Sequence, residues 1–135
     1  MIKILLSGCN GKMGRVIAEI VSQREDCQIV AGIDLNTDKT TSFPVYSSVD
    51  EVQEPVDVVI DFSHPSVLSP LLSYGAAHQI PLVLCTTGYS KEQVQELTQA
   101  SQKTAVFYSR NMSLGINLMI ELSKKAAMVL GDSFD

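Results

Sequence analysis

A chain of 135 residues is the size of one domain, and a hydrophobic content of 45% is enough to build its core; no second domain fits in that length. The net charge of −5, with ten Lys and Arg scattered along the chain, leaves no basic footprint for nucleic acid or an anionic lipid surface, and the longest apolar stretches are strand-length, which predicts a soluble protein with neither nucleic acid nor membrane as partner. Three cysteines, Cys9, Cys27 and Cys85, are an odd number without metal-like spacing, which predicts reduced thiols and a cytoplasmic location.

The chain opens on a short apolar strand, Ile2-Lys-Ile-Leu-Leu, that runs through Ser7 into Gly8, Gly11 and Gly14 and then into a helical pattern. This is the pattern of a phosphate-binding turn in a dinucleotide fold. Gly8 serves a tight turn off the strand, Gly11 lets the backbone approach a pyrophosphate, and Gly14 lets the helix pack closely on the sheet. The helix carries Val16, Ile17, Ile20 and Val21 at helical spacing, stops near residues 24–26, and aims its free N–H groups and positive dipole end at the phosphates. Cys9 lies inside the turn, where its backbone N–H matters more than its thiol, and the nearby helix terminus lowers a thiol pKa, which makes it the candidate reactive cysteine. A second strand over 28–33 ends in Asp34. An acid about twenty residues past the glycines is placed to accept hydrogen bonds from the adenosine ribose; the alternative is a loop aspartate that caps a turn.

Residues 35–47 are polar, contain Pro44, and read as a loop with a short strand at Val45 and Tyr46; Ser48-Val-Asp-Glu51 is a capping-box pattern that predicts one helical turn. A β-branched strand over 56–60 ends in Asp61-Phe62-Ser63. His64-Pro65 starts a helix through about Gln79, with His64 either capping it or contacting phosphate or ribose, and His78 near the helix end reads as a surface residue. Residues 82–84 form a short strand ending at Cys85-Thr86-Thr87-Gly88, Ser90-Lys-Glu-Gln93 caps a helix to about Gln102, and a strand over 105–108 leads into Ser109-Arg110-Asn111-Met112. A long helix then runs from Ser113 to Leu130 with Gly131 as its stop, and Met112 and Met119 read as packing residues. Strands alternating with helices predict an α/β Rossmann-type domain, a parallel sheet with helices on both faces. Ligands bind such a sheet at the carboxyl ends of its strands, where the small and polar segments named above collect.

The ordered set Gly-Cys-Asn-Gly-Lys-Met-Gly, Asp-Phe-Ser-His-Pro, Thr-Thr-Gly and Asn-Met-Ser-x-Gly-x-Asn resembles the nucleotide-binding half of dihydrodipicolinate reductases across the whole chain. The resemblance implies NAD(P)H-dependent reduction of a cyclic dicarboxylate, 4-hydroxy-tetrahydrodipicolinate, on the route to diaminopimelate and lysine. Carried onto this chain, it implies that Gly8, Cys9, Asn10, Gly11, Lys12, Met13 and Gly14 hold the pyrophosphate and that Asp34 holds the adenosine ribose. It places Phe62, Ser63 and His64 beside the cofactor, Cys85, Thr86, Thr87 and Gly88 at its nicotinamide end, and Ser109, Arg110, Asn111 and Met112 on the carboxamide side. No catalytic or metal-ligating residue is expected in this chain, and the parent enzyme is expected to be a homotetramer.

Three departures from the family pattern bear on that expectation. Lys12 stands where arginine is usual, which keeps the charge and loses the planar fork that grips phosphate. Cys85 stands where the family has glycine, so a side chain crowds the nicotinamide end. The substrate domain, with its paired histidine and lysine, is absent from the chain, which is therefore expected to bind cofactor, NADH in preference to NADPH, without turnover and without binding the dicarboxylate. Two other classes remain open on the residues alone: a free-standing nucleotide or coenzyme A sensor, and a receiver-type domain with Asp61 as phosphoacceptor and Thr86 as switch hydroxyl. The second lacks acidic metal ligands, since Ser7-Gly8-Cys9 occupies their place.

Overall fold

The computed structural model describes residues 1–37, 41–109 and 113–131. The chain lays down β1 (Ile2–Ser7), α1 (Lys12–Ser22), β2 (Cys27–Ile33), β3 (Val45–Tyr46), β4 (Val58–Asp61), α2 (Leu68–His78), β5 (Leu82–Leu84), α3 (Lys91–Ala100), β6 (Val106–Tyr108) and α4 (Leu114–Leu130), with single 3₁₀ turns at Val49–Glu51 and Pro65–Val67. The strands form one sheet in the order β3-β2-β1-β4-β5-β6, and every neighbouring pair is parallel. This is the Rossmann-type α/β sheet expected from the alternation.

The connections explain where the helices lie. From β1 the chain steps outward to β2 in one direction, then returns to the other side of β1 and steps through β4, β5 and β6 in the opposite direction. Right-handed crossovers therefore place α1 on one face and α2 with α3 on the other. Leu68, Leu71 and Leu72 of α2 and Leu97 of α3 join Leu5, Val59, Leu82 and Leu84 of the strands in one buried cluster. Each such side chain contributes about 1.5–3 kcal/mol by leaving water, so this α2 face is the main source of stability. On the α1 face, Gly14 and Val21 are buried while Val16 and Ile20 remain 43% and 55% exposed. The expected apolar stripe is present, but no second helix among the described residues flanks α1 there to cover it. All seventeen residues of α4 are likewise exposed.

Boundaries differ from the sequence expectation where polar groups intervene. The β4 strand begins at Val58 rather than 56, because Asp57 is engaged beside the sheet: its N–H donates to Lys3 O at 2.9 Å and its carboxylate accepts from Lys3 N at 2.8 Å. The helix expected from Pro65 starts as a 3₁₀ turn and becomes α-helical at Leu68, ending at His78 with Gln79 in the left-handed region, φ 57°. The Ser90–Gln93 capping box closes in both directions, at 3.0 and 3.2 Å, while α3 stops two residues before Gln102. At Ser48 the box is offset by one residue: Ser48 Oγ accepts from Asp50 N, and the Glu51 carboxylate reaches back to the N–H and hydroxyl of Ser47.

Candidate functional site

The strand order reverses between β1 and β4, and the turn after β1 lies at that crevice. Gly8 has φ +77°, a conformation that L side chains rarely adopt, and its N–H donates to Ile33 O at 2.8 Å while Gly11 N donates to Gly8 O at 3.1 Å. The turn is thereby tied to the end of β2. A side chain on Gly8 would also sit 2.5 Å from the Phe62 carbonyl oxygen, so the backbone after β4 closes against the turn. Gly14 meets the carbonyl groups of Gly8 and Cys9, which makes its close contact one between α1 and the turn rather than between α1 and the sheet. Gly11 is exposed, with only Gly8 O near its would-be Cβ, at 3.2 Å.

Gly11 is the N-cap of α1, and no side chain caps that helix; its first turn holds no acidic residue and begins with exposed Lys12 and Met13. The α3 and α4 helices, by contrast, have Ser90 and Ser113 as side-chain caps, and His64 caps the 3₁₀ turn that leads into α2. The first N–H groups of α1 have no intrahelical acceptor, and with the helix dipole they present a positive end toward the crevice.

Asp34 stands beside this end. Its Oδ2 accepts from Asn10 N at 2.9 Å and its Oδ1 from Asn36 N at 3.1 Å, and Asn10 Nδ2 donates to Asn36 O at 2.5 Å. The loop-capping role weighed for Asp34 is therefore real, and it binds the loop after β2 to the glycine turn. The pairing of Asn10 with Asn36 was not visible in the sequence, since their 26-residue separation carries no pattern.

On the other side of the crevice, Phe62, Ser63 and His64 follow β4, and Cys85, Thr86, Thr87 and Gly88 follow β5. Ser63 N donates to Thr86 Oγ1 at 2.9 Å, joining the two segments. Of the two roles expected for His64, the structure shows the cap: Nδ1 accepts from Ser66 N at 3.2 Å. Exposed His78 ends α2 with its ring 4.6 Å from that of Tyr74. Ser109 lies half-buried after β6, whereas Arg110, Asn111 and Met112 fall outside the described residues, as does Lys39, the nearby cation expected to offset in part the repulsion between Asp34 and a 2′-phosphate. Asp61 is 1% exposed and fully engaged with neighbouring hydroxyls, which removes it as a phosphoacceptor. Among the described residues no group of His, Cys, Asp and Glu has the arrangement of a metal site, and no helix is long and apolar enough to cross a membrane.

The reading of Cys9 as the reactive thiol is overturned. Its side chain points inward against Gly32 and is buried, and burial, followed by the charge of Asp34, pushes its pKa up to about 11. Burial and then Asp61 push half-buried Cys85 up to about 11 as well. At pH 8, three units below such a value, about one thiol in a thousand is ionised, and the thiolate is the nucleophile. In the native protein, labelling with a thiol-specific disulfide reagent at pH 8 is therefore expected to leave Cys9 unmodified until denaturant is added; rapid native labelling of Cys9 would contradict this.

Residues 2–112 match the family model for the N-terminus of dihydrodipicolinate reductase. The chain belongs to this family. Among its relatives, the 4-hydroxy-tetrahydrodipicolinate reductase of Clostridium novyi strain NT is 44% identical over 135 residues, covering the whole chain and 54% of the relative. That of Caldanaerobacter subterraneus subsp. tengcongensis is 46% identical, covering 53% of the relative. The chain thus spans about half the length of these dihydrodipicolinate reductase relatives. Its structure is similar to the dipicolinate-bound dihydrodipicolinate reductase of Paenisporosarcina sp. TG-14, with a TM-score of 0.78 and 25% identity over 94% of this chain and 54% of that one. The WlbA dehydrogenase of Bordetella pertussis, in complex with NADH and UDP-GlcNAcA, shares the fold at a TM-score of 0.72 and 18% identity, covering 96% of this chain and 40% of that one. The free-standing sensor reading is not favoured by this membership in the dihydrodipicolinate reductase family.

Proposed function

We propose that the chain is the cofactor half of a cytoplasmic 4-hydroxy-tetrahydrodipicolinate reductase and binds a nicotinamide dinucleotide across the crevice between β1 and β4. The observation that carries this reading is the uncapped N-terminus of α1 beside Asp34: a positive, glycine-lined end adjoins a carboxylate with acceptor capacity to spare, joined to the turn by Asn10 N donating to Asp34 Oδ2 at 2.9 Å. Gly8 through Gly14 hold the pyrophosphate and Asp34 the adenosine ribose. Phe62, Ser63, His64, Cys85, Thr86, Thr87, Gly88 and Ser109 face the nicotinamide half, with Arg110, Asn111 and Met112 completing that side. In the longer parent enzyme, expected to be a homotetramer, a cofactor held by these residues would supply the hydride for reduction of the cyclic dicarboxylate.

Fluorescence titration with NADH tests the reading, and absence of saturable binding would refute it. NADH is expected to bind at least as well as NADPH. Each hydrogen bond from a ribose hydroxyl to the Asp34 carboxylate is worth about 1.5–3 kcal/mol, and the same charge repels a 2′-phosphate. Leu35, 97% exposed, follows it and offers no compensating cation. Asp34→Ala should weaken NADH roughly 10- to 100-fold and NADPH much less; a tenfold preference of the unaltered chain for NADPH would contradict the assignment.

On its own the chain should bind cofactor without oxidising it when the dicarboxylate is supplied. Positioning of the acceptor is worth about 7–11 kcal/mol of barrier and acid catalysis a further 10² to 10⁴ in rate, and neither histidine is expected to serve as the acid, since His64 spends its Nδ1 on capping the 3₁₀ turn and His78 ends α2 beside Tyr74. Steady loss of absorbance at 340 nm, abolished by a change in the glycine turn, would show that these residues suffice.

A further inference from the structure

At the end of β4 the Asp61 carboxylate is 1% exposed, and among the described residues no Lys, Arg or His pairs with it. A carboxylate removed from water is tolerable only where donors replace its hydration. Here hydroxyls replace it. Ser63 Oγ donates to Oδ1 at 2.5 Å, Thr86 Oγ1 donates to Oδ2 at 2.7 Å, and Tyr89 OH donates to Oδ2 at 3.3 Å. Because the Thr86 hydroxyl gives its single proton to Asp61, its oxygen is left to accept, and it takes the backbone N–H of Ser63. The chain of bonds from Ser63 N–H through Thr86 to Asp61, closed by the Ser63 hydroxyl, locks the segment after β4 to the segment after β5.

The same charge acts on the neighbouring side chains. Burial and then Asp61 hold the Tyr89 phenol above its ordinary range, so it stays a donor. Asp34 lies at the end of β2, on the far side of the glycine turn from all of these groups. A dinucleotide held by its ribose at Asp34 and by its phosphates at the turn has its nicotinamide half over β4 and β5.

We propose that Asp61 is a positioning residue for the nicotinamide half of the cofactor: without touching the cofactor, its carboxylate directs the hydroxyls of Ser63, Thr86 and Tyr89 and joins the two backbone segments that flank the ring. This rests on the dinucleotide reading above. A carboxylate suits the task because it accepts from several donors and donates to none, so the direction of each hydroxyl is set. Asp61→Asn keeps the shape but puts an amide NH₂ where an acceptor is required, and at least one hydroxyl loses its partner.

The test compares NADH with ADP-ribose, which carries the adenosine and pyrophosphate but no nicotinamide, by calorimetric titration of the unaltered chain, Asp61→Asn and Ser63→Ala. In Asp61→Asn the Kd for NADH should rise about tenfold or more, the loss of roughly one hydrogen bond to a charged group, while that for ADP-ribose changes less than about twofold. Ser63→Ala, which removes one donor at the half-buried rim, should show a smaller loss with the same selectivity and carries the test if Asp61→Asn does not fold. Equal losses for both ligands mean a merely structural carboxylate and overturn the proposal, as does no loss for either. An unaltered chain that binds neither ligand overturns the dinucleotide reading itself, whereas one that binds both with Asp61→Asn indistinguishable from it overturns the role of Asp61 alone.

Discussion

Gly14→Val is expected to destabilise the domain whether or not a ligand is present. A Cβ built on Gly14 runs into the Gly8 backbone oxygen and lies 2.6 Å from the Cys9 oxygen. These are backbone atoms of the turn, so no change of rotamer relieves the overlap. Either α1 moves off the turn or the turn opens, and in the second case the bonds from Gly8 N and Cys9 N to Ile33 O at the end of β2 are lost with it. Overpacking costs about 1–3 kcal/mol when neighbouring side chains can give way, and here they cannot, so a loss of about 3 kcal/mol or more is expected from a total of roughly 5–15. For a domain of this size that is a fall in Tm of about 10 °C, read by circular dichroism. A variant melting within about 3 °C of the unaltered chain would show that the contact at Gly14 is not the constraint derived from it.

The parts of this molecule legible in the sequence are those where a local steric or hydrogen-bonding demand names the residue. Gly8 is required by a positive φ, the Ser90 and Gln93 side chains by two orphan backbone donors, and the strands by short β-branched or leucine-rich runs that supply the core. The position of Asp34 at the end of β2 was legible in the sequence, although its bonds to Asn10 and Asn36 were not. The network around Asp61 escaped for the same reason: Thr86 and Tyr89 are 25 and 28 residues away and meet it only because β5 pairs with β4 in parallel register. Spacing marked Asp61 as the end of a strand and said nothing of which groups would surround it.

Cys9 shows where local reasoning misleads. Proximity to a helix N-terminus lowers a thiol pKa only if the sulfur faces the dipole and water. The turn instead directs the side chain into the space left by Gly32, where a Cβ would sit 2.5 Å from the sulfur, and burial outweighs the dipole. The exposure of Val16 and Ile20 has the same origin. Periodicity says which face of a helix is apolar, and packing partners elsewhere in the chain decide whether that face is covered.

Gly11→Val is expected to abolish dinucleotide binding while leaving the fold intact, the reverse of the outcome at Gly14. Gly11 has φ −70° and ψ 170°, an extended conformation open to any residue, and its would-be Cβ approaches only Gly8 O, at 3.2 Å. The cost to folding is that of a poorer N-cap, a few tenths of a kcal/mol to about 1. The branched methyl groups project from the exposed end of α1 into the space where a pyrophosphate must lie to reach the first N–H groups of the helix. Two charge-assisted hydrogen bonds lost at about 1.5–3 kcal/mol each amount to roughly 10² to 10⁴ in Kd. Melts and NADH titrations run side by side separate the two glycines: Gly11→Val should melt near the unaltered chain and show no saturable binding, and Gly14→Val should melt early. A Gly11→Val protein that binds NADH within about tenfold of the unaltered chain would move the pyrophosphate away from this turn. In that case the uncapped end of α1 could no longer be assigned to the cofactor.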